Sequence, residues 1–506
     1  MEVLKKLQDR GVVAIPTREL TRAHRERLVQ NGFVQEVMKG WYYPTRPDEP
    51  AGESTSWYAS FWGFSAAYLK DRFGPDWCLS PEHSLSLHAG NHAVPRQLVV
   101  RAPGGGNKPT DLLFGTSLFD MRSALPNEDD VIHQEGLRLF SQTAALVAVS
   151  PGFFKNSPTD ARAVLATVGD ASGLLHRLLE GGHSTIAGRL AGAFRNIGRD
   201  RLADEVIEAM RAAGYTVREQ DPFETRIDIA LPRPGISPYA GRLRLMWAEM
   251  RPLVIERFPA PPGLPAEGAA YLRGVQDAYV TDAYHSLSIE GYRVGPGLIE
   301  RVRGGHWNPE ANRQDREHRD ALAARGYWQA FQAVQRSLDL VLRGGNPGEV
   351  AEADQPTWYQ QMFAPGVVAG ILQPADLAGY RNGPVFIRRS MHLPPSREAV
   401  RDAMPVFFEL LMHEAHPAVR AVLGHFFFVY IHPYPDGNGR MGRFLMNLLM
   451  AAGGYPWTVV PFERRDAYMG ALEDASVRQD ITAFADFLAQ LVEEGMAGRT
   501  ATLPIR

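Results

Sequence analysis

The chain is almost without cysteine. Cys78 is the single one in 506 residues, which excludes an internal disulfide and a cysteine-built zinc site and fits a reducing compartment. Long apolar runs are also missing. No stretch approaches the roughly 18 residues a spanning helix requires, and Met1 to Arg10 lacks the apolar core of a signal peptide. A cytoplasmic protein without membrane contact is expected. Charge of one sign is missing too: 54 Lys and Arg against 57 Asp and Glu leave a net of −3. The chain as a whole therefore has no pull toward nucleic acid, and any basic surface must be local. The run Gly104-Gly105-Gly106 is not followed by Lys-Ser/Thr, so it is not a Walker loop. Apolar and charged fractions of 45% and 22% are those of a globular protein, and the length exceeds one ordinary core, so three or more domains are expected.

Chemistry concentrates in residues 432 to 443, His-Pro-Tyr-Pro-Asp-Gly-Asn-Gly-Arg-Met-Gly-Arg. An apolar segment, Phe426 to Ile431, is stopped by Pro433 and Pro435. A helix is predicted from Arg440 to Met450, with Arg440, Arg443, Phe444 and Asn447 on one side and Leu445, Leu448 and Leu449 toward a core. A Gly437-Asn438-Gly439 turn at its start would expose backbone N–H groups at the positive end of the helix dipole, a setting suited to phosphate. Arg440 and Arg443, three apart, can both reach phosphate oxygens. Asp436 beside a polyphosphate would be repulsive without a cation between them, and Mg²⁺ is the usual one. A neutral His432 there is placed to take a proton from an incoming hydroxyl. Each feature alone is ordinary: a capping His, a tight turn, a solvated pair of arginines. Together they describe phosphoryl or nucleotidyl transfer from a Mg-nucleotide.

This run resembles the signature of the Fic family, His-Pro-Phe-x-(Asp/Glu)-Gly-Asn-Gly-Arg-x-x-Arg, departing only at Tyr434. The resemblance implies transfer of AMP from ATP to a Ser, Thr or Tyr hydroxyl of a target protein. It makes His432 the base and Asp436 the holder of Mg²⁺. It gives Gly437, Asn438 and Gly439 the anion hole, Arg440 the α/β-phosphates and Arg443 the γ-phosphate. Gly379 to Ile387 and His392 to Pro395 resemble the family's flap, a β-hairpin in which Val385, Phe386 and Ile387 would dock the target by strand pairing. Arg465 to Ala475 resembles the helix on the adenine side, with Tyr468 as an aromatic nucleotide contact and Ser476 where some members have Asn. Residues 286 to 291, Ser-Leu-Ser-Ile-Glu-Gly, fit the family's inhibitory pattern with Ser286, Glu290 and Gly291. They end a helix predicted over 266–288 from Tyr271, Val275, Tyr279, Ala283 and Leu287, with Gly291 as its stop. By the same resemblance Glu290 pairs with Arg443 and blocks productive ATP. The likeness covers about residues 265 to 493.

Residues 1 to 46 carry nine basic against five acidic residues, a net of +4. Three short helices are predicted, near Val3–Leu7, at Thr17–Leu20 and at Thr21–Val29, then a hairpin of Phe33–Val37 and Trp41–Tyr43 around Lys39-Gly40. The pattern reads as a winged helix-turn-helix. With its Leu-x-x-x-Gly-Phe-Val-x-x-Val-x-x-Gly-Trp-Tyr ending it resembles the N-terminal domain of abortive-infection type antitoxins. That resemblance implies DNA contact through Arg22, Arg25, Arg27 and Lys39, with protein contact or dimerisation as the alternative. Residues 47–235 are expected to form a small α+β domain of unassigned role. Strands are predicted at Gln97–Arg101 and Leu112–Phe114, and helices at Ser141–Ser150 and over Asp160–Ala203. His83, His88 and His92, spaced like ligands but without a carboxylate arrangement, are read as surface histidines. Leu231 to Pro265 is read as a Pro-rich tether.

The expectation is thus a multidomain α+β protein. A winged helix (1–46) precedes the middle domain (47–235), then a linker with inhibitory helix (236–300) and a mainly α-helical Fic domain with a hairpin flap (301–506). It is a protein adenylyltransferase using ATP and Mg²⁺, acting on a hydroxyl-bearing protein or on itself, with DNA as a further partner and a homodimer as an oligomeric option. Three alternatives stand beside it: another Fic nucleotidyl or phosphoryl transfer, a DNA-binding regulator whose Fic domain senses nucleotide, and a de-AMPylase using Glu290.

Overall fold

The computed structural model describes residues 12–50, 52–226, 237–305, 319–499 and 501–503. It divides into two compact units, Met1–Leu245 with Val385–Pro394, and Met246–Pro384 with Pro395–Arg506.

The first unit opens with a three-stranded antiparallel sheet, β1 (Ile15–Pro16), β3 (Trp41–Pro44) and β2 (Val34–Met38), in the order β1-β3-β2. The β2–β3 hairpin turns at Lys39-Gly40, where Gly40 takes φ +87°, a conformation that suits glycine. Ahead of it lies the helix Arg22–Gln30, whose first turn is capped by the Thr21 hydroxyl accepting from His24 N–H. The segment Thr17–Glu19, expected as a full helix, is a single 3₁₀ turn: three residues before a helix N-cap leave no room for more. The helix expected near Val3–Leu7 lies outside the described residues.

A long aromatic helix, Thr55–Phe73, packs Trp57, Phe61 and Phe64 into a core with the four-stranded sheet β4-β5-β7-β6. That sheet comprises β4 (Cys78–Leu79), β5 (Gln97–Ala102), β6 (Pro109–Asp111) and β7 (Ser117–Arg122), with β5 and β7 parallel. The strand expected at Leu112–Phe114 is therefore displaced. Those residues form the turn after β6, where Phe114 has φ +51° and the Thr116 hydroxyl donates to Leu113 C=O. Helices Gln142–Ala148, Pro158–Thr167, Ser172–Glu180, Ser184–Asn196 and Asp200–Ala212 build a second core. The three histidines are not surface residues. His83 and His88 each bond a backbone carbonyl, of Gln97 and Phe140, and His92 bonds the Tyr239 hydroxyl. They are half-buried braces of this unit.

Val385–Pro394 belongs to the same body. Its expected hairpin is absent: residues 379–395 contain no strand. The segment is instead held by side chains and single backbone bonds. Val94 N–H donates to Met391 C=O, Arg388 Nε donates to the buried Glu53 carboxylate at 2.7 Å, and Arg389 N–H donates to the Thr55 hydroxyl. Pro384 on one side, Pro394 and Pro395 on the other, and the left-handed Arg389 (φ +59°) interrupt the regular alternation a hairpin needs.

The linker expectation is also corrected. Pro238–Arg257 is a 20-residue helix with Leu243, Met246, Trp247, Met250 and Val254 buried at three-to-four spacing. Pro252 sits within the helix.

The second unit is helical. Gly268–Ile289, Arg319–Leu342, Pro347–Val368, Arg397–His413, Pro417–Ile431, Asn438–Ala451 and Thr482–Met496 are its main elements. Asn438–Ala451 is central, with every residue but Gly439 buried. Gly424 permits the tight approach of Pro417–Ile431 to it, since a Cβ there would strike Leu449. No helix among the described residues is long and apolar enough to cross a membrane.

Candidate active site

The site forms where Pro417–Ile431 ends and Asn438–Ala451 begins. His432 is the C-cap of the first helix and adopts φ +53°, a left-handed geometry uncommon for a non-glycine residue. Its Nδ1 lies 3.0 Å from Val429 C=O. A carbonyl only accepts, so Nδ1 carries the proton and Nε2 is left as the basic nitrogen. Burial lowers the imidazole pKa to about 4, so the ring is neutral near pH 7.

The connecting loop is braced from three directions. Arg381, expected only as part of the flap, is buried; it donates from its backbone N–H to Pro433 C=O and from Nε to His432 C=O. Its Nη1 and Nη2 donate to the carbonyls of Gly383 and Pro395. Burial, and next the Arg401 charge, lower this guanidinium to about 10. Tyr434, the departure from the usual Phe, stacks on Tyr359 with ring centroids 3.8 Å apart and donates its hydroxyl to Gln355. Asn438 turns its side chain inward: Oδ1 accepts from Tyr434 N–H and Nδ2 donates to Tyr434 C=O. It holds the loop, and what it offers an anion is its backbone N–H.

Gly437 is left-handed, and the first intrahelical bond runs from Met441 N–H to Gly437 C=O. The N–H groups of Asn438, Gly439 and Arg440 precede that ladder and form the helix's positive end. Arg440 and Arg443 follow, only 2% and 3% exposed. Buried guanidinium groups are strongly unfavourable unless paired, yet Arg440 Nε and Arg443 Nη1 have no hydrogen-bond partner among the described residues. Two buried, unpaired cationic donors beside a helix N-terminus suit an anionic ligand.

Part of that demand is met by Glu290. Its carboxylate accepts from Arg443 Nη2 at 2.7 Å and keeps 27% side-chain exposure. A Cβ on Gly439 would collide with the same carboxylate, so Glu290 sits directly on the glycine turn. Burial works to raise its pKa, but Arg443 and then Arg440 outweigh it and hold the carboxyl below its usual value. Ser286, one turn earlier, accepts from Arg443 Nε at 2.9 Å through its hydroxyl and from Nη2 at 3.0 Å through its carbonyl. One turn earlier again, the buried Asp282 accepts from the Tyr327 hydroxyl at 2.6 Å, and burial raises its carboxyl to about 6. Asp282, Ser286 and Glu290 therefore line one face of Gly268–Ile289 at four-residue spacing.

Asp436 is exposed at the mouth. Oδ1 accepts from Gly437 N–H at 2.6 Å, and Oδ2 lies 3.5 Å from Arg440 Nη2. Among the described residues no group of three or more His, Cys, Asp or Glu could hold a metal. A single accessible carboxylate does fit Mg²⁺, which takes most of its remaining ligands from phosphate and water. Tyr468 is not at an open surface: it is 1% exposed, and its hydroxyl lies 2.7 Å from His425 Nε2. Ser476 is likewise buried. Val385, Phe386 and Ile387 fall in the first unit, Phe386 being 45% exposed. So do Arg22, Arg25, Arg27 and Lys39.

Residues 362–450 match the Fic/DOC family. The chain contains a Fic domain. Curated relatives include proteins named Protein adenylyltransferase Fic from Nematostella vectensis, 28% identical over 246 residues, and from Drosophila virilis, 29% identical over 230 residues. These alignments cover 48% and 45% of this chain and 53% and 44% of the relatives, so the chain spans about half the length of the curated relatives it matches. Among solved structures, Fic-1 from C. elegans is 20% identical, covering 68% of this chain and 98% of that one at a TM-score of 0.38. Phe363 and Gln355, which wall and brace the Fic loop, carry no motif of their own; their aromatic and amide types on Pro347–Val368 become meaningful only once the fold sets them beside residues 434–440.

Proposed function

We propose that this protein transfers AMP from ATP to a hydroxyl of a protein target, and that Glu290 restrains it. The reading is carried by one juxtaposition. A neutral His432 with a basic Nε2 stands at a loop whose helix N-terminus, Arg440 and Arg443 offer unpaired donors to an anion. The name shared by the curated relatives supports the choice of AMP as the group transferred.

In the proposed reaction the target hydroxyl gives its proton to His432 Nε2 as its oxygen forms a bond to the α-phosphorus. The bond from α-phosphorus to the α,β-bridging oxygen breaks, and pyrophosphate leaves. The N–H groups of Asn438, Gly439 and Arg440 and the Arg440 guanidinium stabilise charge on the α- and β-phosphates, and Arg443 would take the γ-phosphate. Asp436 would hold Mg²⁺, which when bound neutralises charge on the phosphates. Arg381 and Asn438 keep the loop in place, so little reorganisation is needed. Glu290 competes for the γ-phosphate's partner, because Arg443 Nη2 cannot serve both carboxylate and phosphate fully.

Mass spectrometry of Glu290→Gly protein incubated with ATP and a cell lysate tests this. An added AMP on the protein or on a partner is expected; a phosphate gain or no adduct would refute it. For the N-terminal region, the exposed Arg22 and Arg27 on the Thr21-capped helix beside a hairpin favour a winged-helix surface for DNA. Arg22 is partly neutralised by Glu26 at 2.8 Å. A gel shift that weakens with rising salt is expected, and salt-insensitive or absent binding rejects phosphate contact.

A further inference from the structure

The second phosphate-facing arginine, Arg440, is also held by the segment that holds Arg443. Its guanidinium carbon lies 5.2 Å from the centroid of the Tyr292 ring and 5.2 Å from that of Phe363. Phe363 comes from Pro347–Val368, but Tyr292 stands two residues after Glu290. A closing motif joins the two. Gly291, at φ +86°, donates its N–H to Ser288 C=O, and Tyr292 donates its N–H to Leu287 C=O. These two bonds are the Schellman pattern that seals a helix C-terminus. It fixes the Tyr292 backbone relative to that of Glu290, so the two residues advance or withdraw together with the helix end. Apart from the rings, Arg440 has a 3.5 Å ion pair with Asp436 and the nearby Glu290 charge, and its Nε has no hydrogen-bond partner among the described residues. The cation–π contacts add to the attraction of the Asp436 and Glu290 carboxylates, and a desolvated pair of this kind is substantial.

We infer that Tyr292 is a second grip of the restraint, closing on Arg440 while Glu290 closes on Arg443, so that the end of Gly268–Ile289 must release both arginines before the nucleotide phosphates can engage them. This rests on the reading of residues 432–443 as the ATP site. The family pattern of Ser286, Glu290 and Gly291 stops one residue short of Tyr292, and no charge or motif in the sequence marks it.

The test is the affinity for Mg-ATP, measured by calorimetry on the full chain carrying Tyr292→Ala, Tyr292→Phe, Glu290→Gly, or both Tyr292→Ala and Glu290→Gly. Loss of the ring should tighten binding roughly 3- to 30-fold, the range a partly desolvated cation–π contact supplies. Tyr292→Phe keeps the ring face and should restore the wild-type affinity. The double variant should gain less than the product of the single effects, because both contacts act through one helix end. If Tyr292→Ala leaves affinity unchanged or weakens it while far-UV circular dichroism and the unfolding midpoint stay native, the ring merely steadies Arg440 and the inference is overturned. If Tyr292→Ala loses the native fold, the comparison passes to Tyr292→Leu, where tightening supports the grip and its absence overturns it. Failure of the transferase reading would show separately, as absent AMP incorporation by Glu290→Gly whatever the Tyr292 variants bind.

Discussion

Removing the Glu290 carboxylate should release the enzyme, and the structure sets the size of the effect. At the observed 2.7 Å, two unit charges in an effective dielectric of about 20 attract by roughly 6 kcal/mol before desolvation is subtracted. Desolvation takes much of this back, because Arg443 is almost fully buried and Glu290 largely so. A hydrogen bond to a charged group retains a net of about 1.5–3 kcal/mol, which corresponds to a factor of roughly 10 to 150 in an equilibrium. Arg443 keeps its Ser286 contacts in the variant, so it stays in position while Nη2 becomes available to phosphate. Auto-modification with labelled ATP should therefore rise about 10- to 150-fold in Glu290→Gly. Glu290→Gln, which keeps the volume and removes the charge, should rise in the same direction. His432→Ala should silence either background. If both Glu290 variants modify themselves at the wild-type rate, the Glu290–Arg443 pair is a structural contact and not a restraint.

Further consequences are open to measurement. The pKa of His432 is lowered to about 4, against roughly 6.5 in the unfolded chain. A lowered value means the neutral ring's contribution to stability is complete above about pH 6.5 and is lost as pH falls toward 4. Transfer by Glu290→Gly should accordingly show no loss of this base between pH 8 and 6 and decline only below about pH 5; a midpoint near 6.5 would contradict the assignment. Asp436→Ala should raise the Mg²⁺ concentration for half-maximal transfer by roughly tenfold or more, and an unchanged Mg²⁺ titration would remove Asp436 from the metal site. Glu53→Ala deletes the buried acceptor of Arg388, so limited trypsin digestion at Arg388 and Arg389 should accelerate about tenfold; an unchanged cleavage rate would show that Glu53 does not anchor residues 385–394.

The site was legible in the sequence because its chemistry is local. Gly437 and Gly439 mark the turn, Pro433 and Pro435 mark the stop, and Arg440 and Arg443 lie within one helical turn, so twelve consecutive residues carry the arrangement. Glu290 was legible only through a family pattern, since its partner is 153 residues away. Other features depend on contacts that no spacing encodes. Arg381 looks like part of a flap until its guanidinium is seen on the carbonyls of His432, Gly383 and Pro395. Asn438 looks like an anion ligand until its amide is found paired with the Tyr434 backbone. The prolines around Pro238–Arg257 suggest a tether, yet its apolar stripe at three-to-four spacing makes it a helix that accommodates Pro252. The expected flap hairpin failed for the opposite reason: the apolar run Val385-Phe386-Ile387 has strand propensity, but the segment takes its backbone and side-chain partners elsewhere.

The most direct measurement offers Glu290→Gly protein two forms of ATP, labelled at the α-phosphate or at the γ-phosphate, with Glu290→Gly/His432→Ala as control. Label retained on protein from the α-position only, and abolished in the control, is the expected result. Label retained from the γ-position, or α-label that persists without His432, would contradict AMP transfer by this loop.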